Sequence, residues 1–149
     1  MERSRMTFFQ GVRSGFGGLF RFSGRARRME LFSFGLVVTI PWMAVMIWLL
    51  TLGEAVPQAV MAGLLGLYAF LMLAVLWRRY QDVGQEGYIV FVLYAALYGI
   101  AQDFGFEGAK LLQLMLTGIA GLALFKLMQD SHPAANAYGP SPKYQGNGF

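Results

Sequence analysis

The sequence contains no cysteine, which excludes disulfide frameworks, thiolate metal sites and cysteine nucleophiles. Charge is scarce: Asp, Glu, Lys and Arg make up 13% of the 149 residues, against roughly 25% in an ordinary soluble domain. The one histidine, His132, stands in a polar segment beside Pro133, so little is available for acid–base chemistry near neutral pH. No G-x-S-x-G, Walker A, H-E-x-x-H or dinucleotide fingerprint occurs, and no carboxylates are paired at metal-ligand spacing. The expectation is therefore a non-enzymatic protein with no catalytic residues, no cofactor and no metal.

What the chain has is apolar sequence, 56% of its residues. Leu31 to Gly53 and Ala55 to Trp77 are uncharged runs of 23 residues each. As a helix each is about 35 Å long, enough for a hydrocarbon core of roughly 30 Å. Glu54 and Pro57 punctuate them as a tight turn. Gly87 to Gln102 and Leu111 to Phe125 are shorter, 16 and 15 residues, below the ~17–25 usual for a span. Tyr88 and Gln102 at the interfaces, and Lys110 and Lys126 with snorkelling amines, lengthen them. The expected fold is all-α, a polytopic membrane helical bundle of four transmembrane helices with a basic N-terminal interfacial arm. Two spans plus a re-entrant pair is the alternative. The domain reading is an arm at 1–30, a transmembrane domain at 31–126 and a turn-rich tail at 127–149.

Orientation follows from the loops. Arg3, Arg5, Arg13, Arg21, Arg25, Arg27 and Arg28 precede the first run, Arg78 and Arg79 follow the second, and Lys126 and Lys143 follow the fourth; only Lys110 lies in the opposite set. An eleven-to-one bias places both termini in the cytoplasm under the positive-inside rule. The basic lead and the first run are both too long for a cleaved signal peptide, so that run is read as an anchor.

Small residues recur at four-residue spacing in Ala59/Gly63, Ala62/Gly66, Ala95/Gly99 and Thr117/Gly121, a pattern that lets helices approach closely in lipid. Pro41 removes a backbone donor inside the first run and predicts a bend. In the arm, Phe9, Val12, Phe16, Leu19 and Phe20 have the spacing of an amphipathic interfacial helix. Gly11, Gly15, Gly17 and Gly18 oppose it at about 1 kcal/mol each relative to alanine, leaving a regular helix and a broken segment both open.

Three polar stretches remain: F-S-G-R-A-R-R-M-E-L-F at 22–32, W-R-R-Y-Q-D-V-G-Q-E-G-Y at 77–88 and N-A-Y-G-P-S-P at 136–142. All three fall on the cytoplasmic side of the predicted topology. Clustered arginines there are explained by topology alone, but Glu30 and Asp82 are not, because a carboxylate does little for topology and loses hydration at an interface. The candidate site is a cluster of Arg25, Arg28, Glu30, Arg78, Arg79 and Asp82. The tail turn of Asn136, Tyr138, Gly139 and Pro140 is expected to dock over it. Asp82 lies three and four residues past Arg79 and Arg78, so all three share a face if the helix continues one turn beyond Trp77.

In order and spacing these stretches resemble the small bacterial inner-membrane family called domain of unknown function 805, the YhaH-like proteins. The resemblance covers nearly the whole chain. It rests on Gly24, Arg25, Arg28, Glu30, Arg78, Arg79, Asp82, Gly87, Asn136, Tyr138, Gly139, Pro140 and Pro142. Gln81 stands where the family usually has histidine, Tyr88 where it has tryptophan, and Phe32 near another tryptophan position. The resemblance implies a bacterial inner-membrane location and no activity. The expected role is a scaffold or accessory subunit whose cytoplasmic cluster meets anionic lipid or a membrane-protein partner, with homo-oligomers allowed and no nucleic acid. An oligomeric channel or transport component is the alternative.

Overall fold

The computed structural model describes residues 6–53, 56–102, 105, 108–131 and 133–141; Arg3, Arg5, Glu54, His132, Pro142 and Lys143 lie outside them. Among the described residues the fold is all-helical: α1 (Phe8–Gly17), α2 (Arg28–Thr51), α3 (Gln58–Asp82), α4 (Ile89–Ala101) and α5 (Ala109–Met128). Helices α2, α3 and α5 are each long and apolar enough to cross a membrane, and α4 is a shorter apolar helix. This is the pattern of a multi-pass membrane protein.

Helix α1 forms in spite of its glycines because tertiary packing uses them. Its start is a capping box, in which the Gln10 amide N–H donates to Thr7 Oγ1 (3.3 Å) and the Thr7 N–H donates to Gln10 Oε1 (2.9 Å). Gly11 and Gly15 are buried one turn apart against the start of α2. A Cβ on Gly15 would lie 2.7 Å from Phe34 Cβ, and one on Gly11 would press on Ser33 Oγ and sit 3.0 Å from the Met29 carbonyl. The arm is thus a helix seated on α2, with Phe16 edge-on to Phe34 at 5.1 Å between ring centroids. Gly15→Val is expected to cost about 1–3 kcal/mol by overpacking, read as a lower melting temperature and faster proteolysis of α1. Gly17→Ala, at a position where a Cβ meets nothing within 4 Å, should leave both unchanged or improved.

Helix α2 runs through Pro41 without a break. The neighbouring Trp42 stacks on Tyr68 of α3 at 4.5 Å and donates Nε1–H to the Leu64 carbonyl at 3.1 Å. Thr39 and Tyr68 hydroxyls meet at 3.0 Å. Such polar contacts hold helices together where lipid supplies no hydrophobic drive.

Helix α4 has 13 residues, about 20 Å, and ends short of a full span. Its freed terminal carbonyls need partners in an apolar surround. Gln113 of α5 supplies one, donating Nε2–H to the Gln102 carbonyl at 2.8 Å. Gln113→Leu is expected to lower stability in detergent by about 1 kcal/mol, measured as a shift in thermal unfolding; Gln102→Leu, which keeps the acceptor carbonyl, should shift it less.

The paired small residues are used once. Gly99 lies so close to α5 that an added Cβ would be 2.6 Å from Leu116 Cδ1, whereas Gly63, Gly66 and Gly121 have nothing within 4 Å. Spacing marks a helix face but not whether a neighbour covers it.

The start of α2, the ends of α3 and α5 and the start of α4 gather at one end of the bundle, where Arg78 meets Glu30 and Arg79 meets the Leu127 carbonyl. The buried core concentrates there, in Phe34, Val75, Tyr80, Val90, Leu93 and Leu127. Away from it, residues such as Ile40, Ile47, Leu65, Leu114 and Leu122 are exposed apolar surface, as expected where lipid is the solvent.

Candidate functional site

The site grows from the last turn of α3. The apolar run ends at Trp77, but the helix continues to Asp82, carrying Arg78, Arg79 and Asp82 into the polar end. Arg79 and Asp82, one turn apart, form an ion pair in which neither side chain is exposed to solvent. A lone buried carboxylate is costly unless its lone pairs are filled. Asp82 accepts from three groups: Arg25 Nε at 2.8 Å on Oδ1, Arg79 on Oδ2, and Ser131 Oγ at 2.5 Å on Oδ2.

Arg25 comes from the segment between α1 and α2, just after Gly24, whose φ of 101° is open to glycine. Its guanidinium fork is used in several directions. Besides Asp82 it donates to the Asp82 carbonyl at 3.2 Å, the Ala134 carbonyl at 2.9 Å and the Gly139 carbonyl at 3.3 Å. Arg79 serves as a side-chain cap for α5: it donates to the Leu127 carbonyl at 3.0 Å and to the Gln129 carbonyl, and reaches the Ala26 carbonyl at 3.4 Å. A cation on the orphan carbonyls of a helix C-terminus gains both hydrogen bonds and a favourable dipole. Tyr80 adds a bond from its hydroxyl to the Ala123 carbonyl at 3.0 Å.

Glu30 finds its partner across the bundle, with Arg78 Nη1 at 2.8 Å and both side chains almost fully buried. The same guanidinium reaches the Gly18 carbonyl at 3.4 Å, at a position where a Cβ would collide with it. Arg28, grouped with these residues by sequence, pairs elsewhere: it meets Asp130 at 3.0 Å on the surface and the Met128 carbonyl at 3.3 Å. Arg27 is partly buried, which lowers its pKa, opposed by the charges of Asp82 and Glu30; an arginine remains protonated at physiological pH.

The tail lies over this cluster. Asn136 and Gly139 exchange backbone bonds at 3.1 and 3.0 Å around a turn that Gly139 closes at φ 116°, and the Tyr138 N–H donates to Asn136 Oδ1 at 2.9 Å. Asn136 Nδ2–H then donates to the Gln81 carbonyl at 2.8 Å, and the Tyr138 hydroxyl to Glu86 at 2.7 Å. The bond to Glu86, followed by slight burial and nearby charge, pushes the Tyr138 phenol up. The phenol therefore keeps its proton, and can donate to Glu86, through neutral pH. Pro140 is exposed at the end of the turn. Beneath the loop, Gly87 passes so near the Trp77 indole that any Cβ would overlap it.

The structure thus brings Arg25, Arg79 and Asp82 into one group, Glu30 and Arg78 into a second, and docks Asn136, Tyr138 and Gly139 over the first. Sequence reasoning missed Ser131, Asp130 and the α5 carbonyls. The serine and aspartate were signalled only by the change to polar sequence after Met128, and backbone carbonyls leave no sequence signal at all. Gln81, the departure from the family's histidine, is buried and contributes its backbone carbonyl to the tail. Among the described residues no three carboxylate or imidazole groups converge as a metal site. Chemically, the arrangement neutralises charge and fastens helix ends.

Comparison with curated proteins and with solved structures returns no match. Residues 19–140, a stretch that holds Arg25, Glu30, the end of α3 and the tail turn, match the family described as Protein of unknown function (DUF805), and the chain belongs to that family.

Proposed function

We propose that the chain is a non-enzymatic scaffold or accessory subunit of a membrane complex, seated in the bacterial inner membrane with its polar cap and both termini in the cytoplasm. The observation that carries this reading is how the cap uses its charge. Arg25, Arg78 and Arg79 are buried and committed to Asp82, Glu30 and backbone carbonyls. Groups so occupied hold a surface in shape and leave its display to the tail turn, with Tyr138 partly exposed and Pro140 exposed. A rigid, polar, turn-bearing face is suited to protein docking, where preformed geometry lowers the cost of association. The loop bias of Lys and Arg supports the orientation.

Two measurements test the proposal. Reporter fusions at residue 149 and in the α2–α3 loop are expected to respond oppositely, with the cytoplasmic signal at residue 149; a periplasmic signal there would sink the orientation. A mild-detergent pull-down of the natively expressed chain should recover a membrane-protein partner at fixed stoichiometry, weakened by Tyr138→Ala. Recovery of the chain alone, together with solute flux from reconstituted vesicles, would favour the channel alternative.

A further inference from the structure

Three concavities among the described residues at the polar end of the bundle have linings that differ in one chemical respect. A cavity of about 330 Å³ holds Asp130 beside Arg27 and Arg28, and one of about 190 Å³ holds Glu30 beside Arg21, Arg25, Arg27 and Arg78. The third, of about 380 Å³, is lined by Gln10, Arg13, Ser14, Arg21 and Arg78 with the backbone at Gly17 and Gly18. It has no carboxylate. Arg78 is neutralised by Glu30, but Arg13 and Arg21 are exposed and form no ion pair among the described residues. The cap's arginines therefore divide into those consumed by the fold and two exposed ones on one hollow, Arg13 and Arg21, of which Arg21 feels the charge of Glu30 without a direct ion pair.

We propose that this hollow between α1 and the turn after it binds the phosphate of an anionic membrane lipid through Arg13 and Arg21. Planar guanidinium forks match phosphate oxygens bidentately. Gln10, whose Oε1 is occupied by the Thr7 N–H, still has its amide N–H donors to offer, whereas the Ser14 hydroxyl is engaged by Glu30. The rim decides between lipid and free phosphate. Phe16 and Phe20, the chain neighbours of Gly17 and Arg21 in the lining, are both substantially exposed, and Phe20 lies beside the exposed Phe70 of α3 at 5.9 Å between rings. The cavity therefore opens at the boundary of headgroup and acyl chain, where the occupant's apolar part has aromatic surface to cover. A zwitterionic headgroup would bring its ammonium toward the two exposed cations. The inference rests on the cap lying at the membrane surface and not on the scaffold role, so loss of a protein partner leaves it standing.

The test uses the full chain in mild detergent, offered equal phosphatidylglycerol and phosphatidylcholine and read by native mass spectrometry. Wild type should retain phosphatidylglycerol selectively. Arg13→Gln and Arg21→Gln should each reduce retention roughly fivefold, and the double variant about twenty-five-fold, with unchanged melting temperature. Arg28→Gln, whose guanidinium is paired with Asp130, is the control and should change retention less than about twofold. Gly17→Asp provides an independent arm, adding a carboxylate at the lining where a Cβ meets nothing within 4 Å; it should abolish selectivity with both arginines intact. Equal retention of the two lipids overturns the proposal, as does full retention by the double variant. Inorganic phosphate stabilising the lipid-free chain as strongly as phosphatidylglycerol would mark a free-anion site and overturn the lipid assignment.

Discussion

Asp82→Leu is expected to eliminate most of the folded protein in mild detergent, and what folds should melt far below wild type. Asp82 is ion-paired with two fully or almost fully buried guanidinium groups, Arg25 and Arg79. Removing it strands both cations, and breaking a buried pair costs about 3–5 kcal/mol, a large share of a total stability of about 5–15 kcal/mol. The loss spreads, because Arg79 also caps α5 and Arg25 also holds the tail. Asp82→Asn keeps the shape and one acceptor oxygen, so it should fall between wild type and the leucine variant. Fluorescence-detected size exclusion and thermal melting check the order. The geometry also reassigns the compensating changes. From sequence, Asp82→Arg is expected to be partly rescued by Arg28→Asp or Arg78→Asp. In the structure Arg28 serves Asp130 and Arg78 serves Glu30, so neither should rescue, whereas Arg25→Asp should recover part of the yield. A melting temperature unmoved by Asp82→Leu would reduce the cluster to a topology signal.

Much of this architecture is legible in the residues, and what is not has identifiable causes. The long uncharged runs specify α2 and α3 because crossing lipid requires length and apolarity together. The end of α3 is less visible: charge ends the apolar run at Trp77, but a helix ends where its backbone bonds end, five residues later at Asp82. Spacing alone places Arg79 and Asp82 on one face, yet it cannot tell which side chain across the bundle will arrive, so Arg25 and not Arg28 completes the pair. The arm shows propensity yielding to packing. Its glycines count against a helix in isolation, but Gly11 and Gly15 are what allow α1 to lie on Ser33 and Phe34. The same small-residue logic fails for Gly63 and Gly66, which face open space. The division of arginines into buried and available ones is a property of three-dimensional neighbours, and the sequence lists all of them alike.

The second large effect concerns Glu30 and Arg78, and it separates a fastening from a functional contact. Each single change, Glu30→Met or Arg78→Met, leaves a buried charge without its partner and is expected to cost about 3–5 kcal/mol. The double variant removes both charges and fills their space with apolar side chains of similar reach. Such replacements of a buried pair are often neutral or stabilising by about 1–4 kcal/mol. Besides the pair, the double variant loses the bond between the Ser14 hydroxyl and Glu30, about 1 kcal/mol, and the long bonds from Arg78 to the Ala74 and Gly18 carbonyls, at 3.3 and 3.4 Å. Two single losses of at least about 3 kcal/mol each, set against a double variant that loses about 1 kcal/mol or less, give a coupling of about 5 kcal/mol or more, above the roughly 0.5–3 kcal/mol usual for contacting pairs. Arg28 and Asp130, whose side chains are 41% and 48% exposed at a similar separation of 3.0 Å, should give under about 1 kcal/mol in the same experiment. Equal coupling in the two cycles would mean that burial does not govern these pairs, and the fastening role of Arg78 would fall. If the double methionine variant melts like wild type, the pull-down becomes informative, because partner recovery can then be read without a folding defect. Retained recovery would assign Glu30 and Arg78 to holding α2 on α3, while lost recovery at full stability would assign them to the docking face itself.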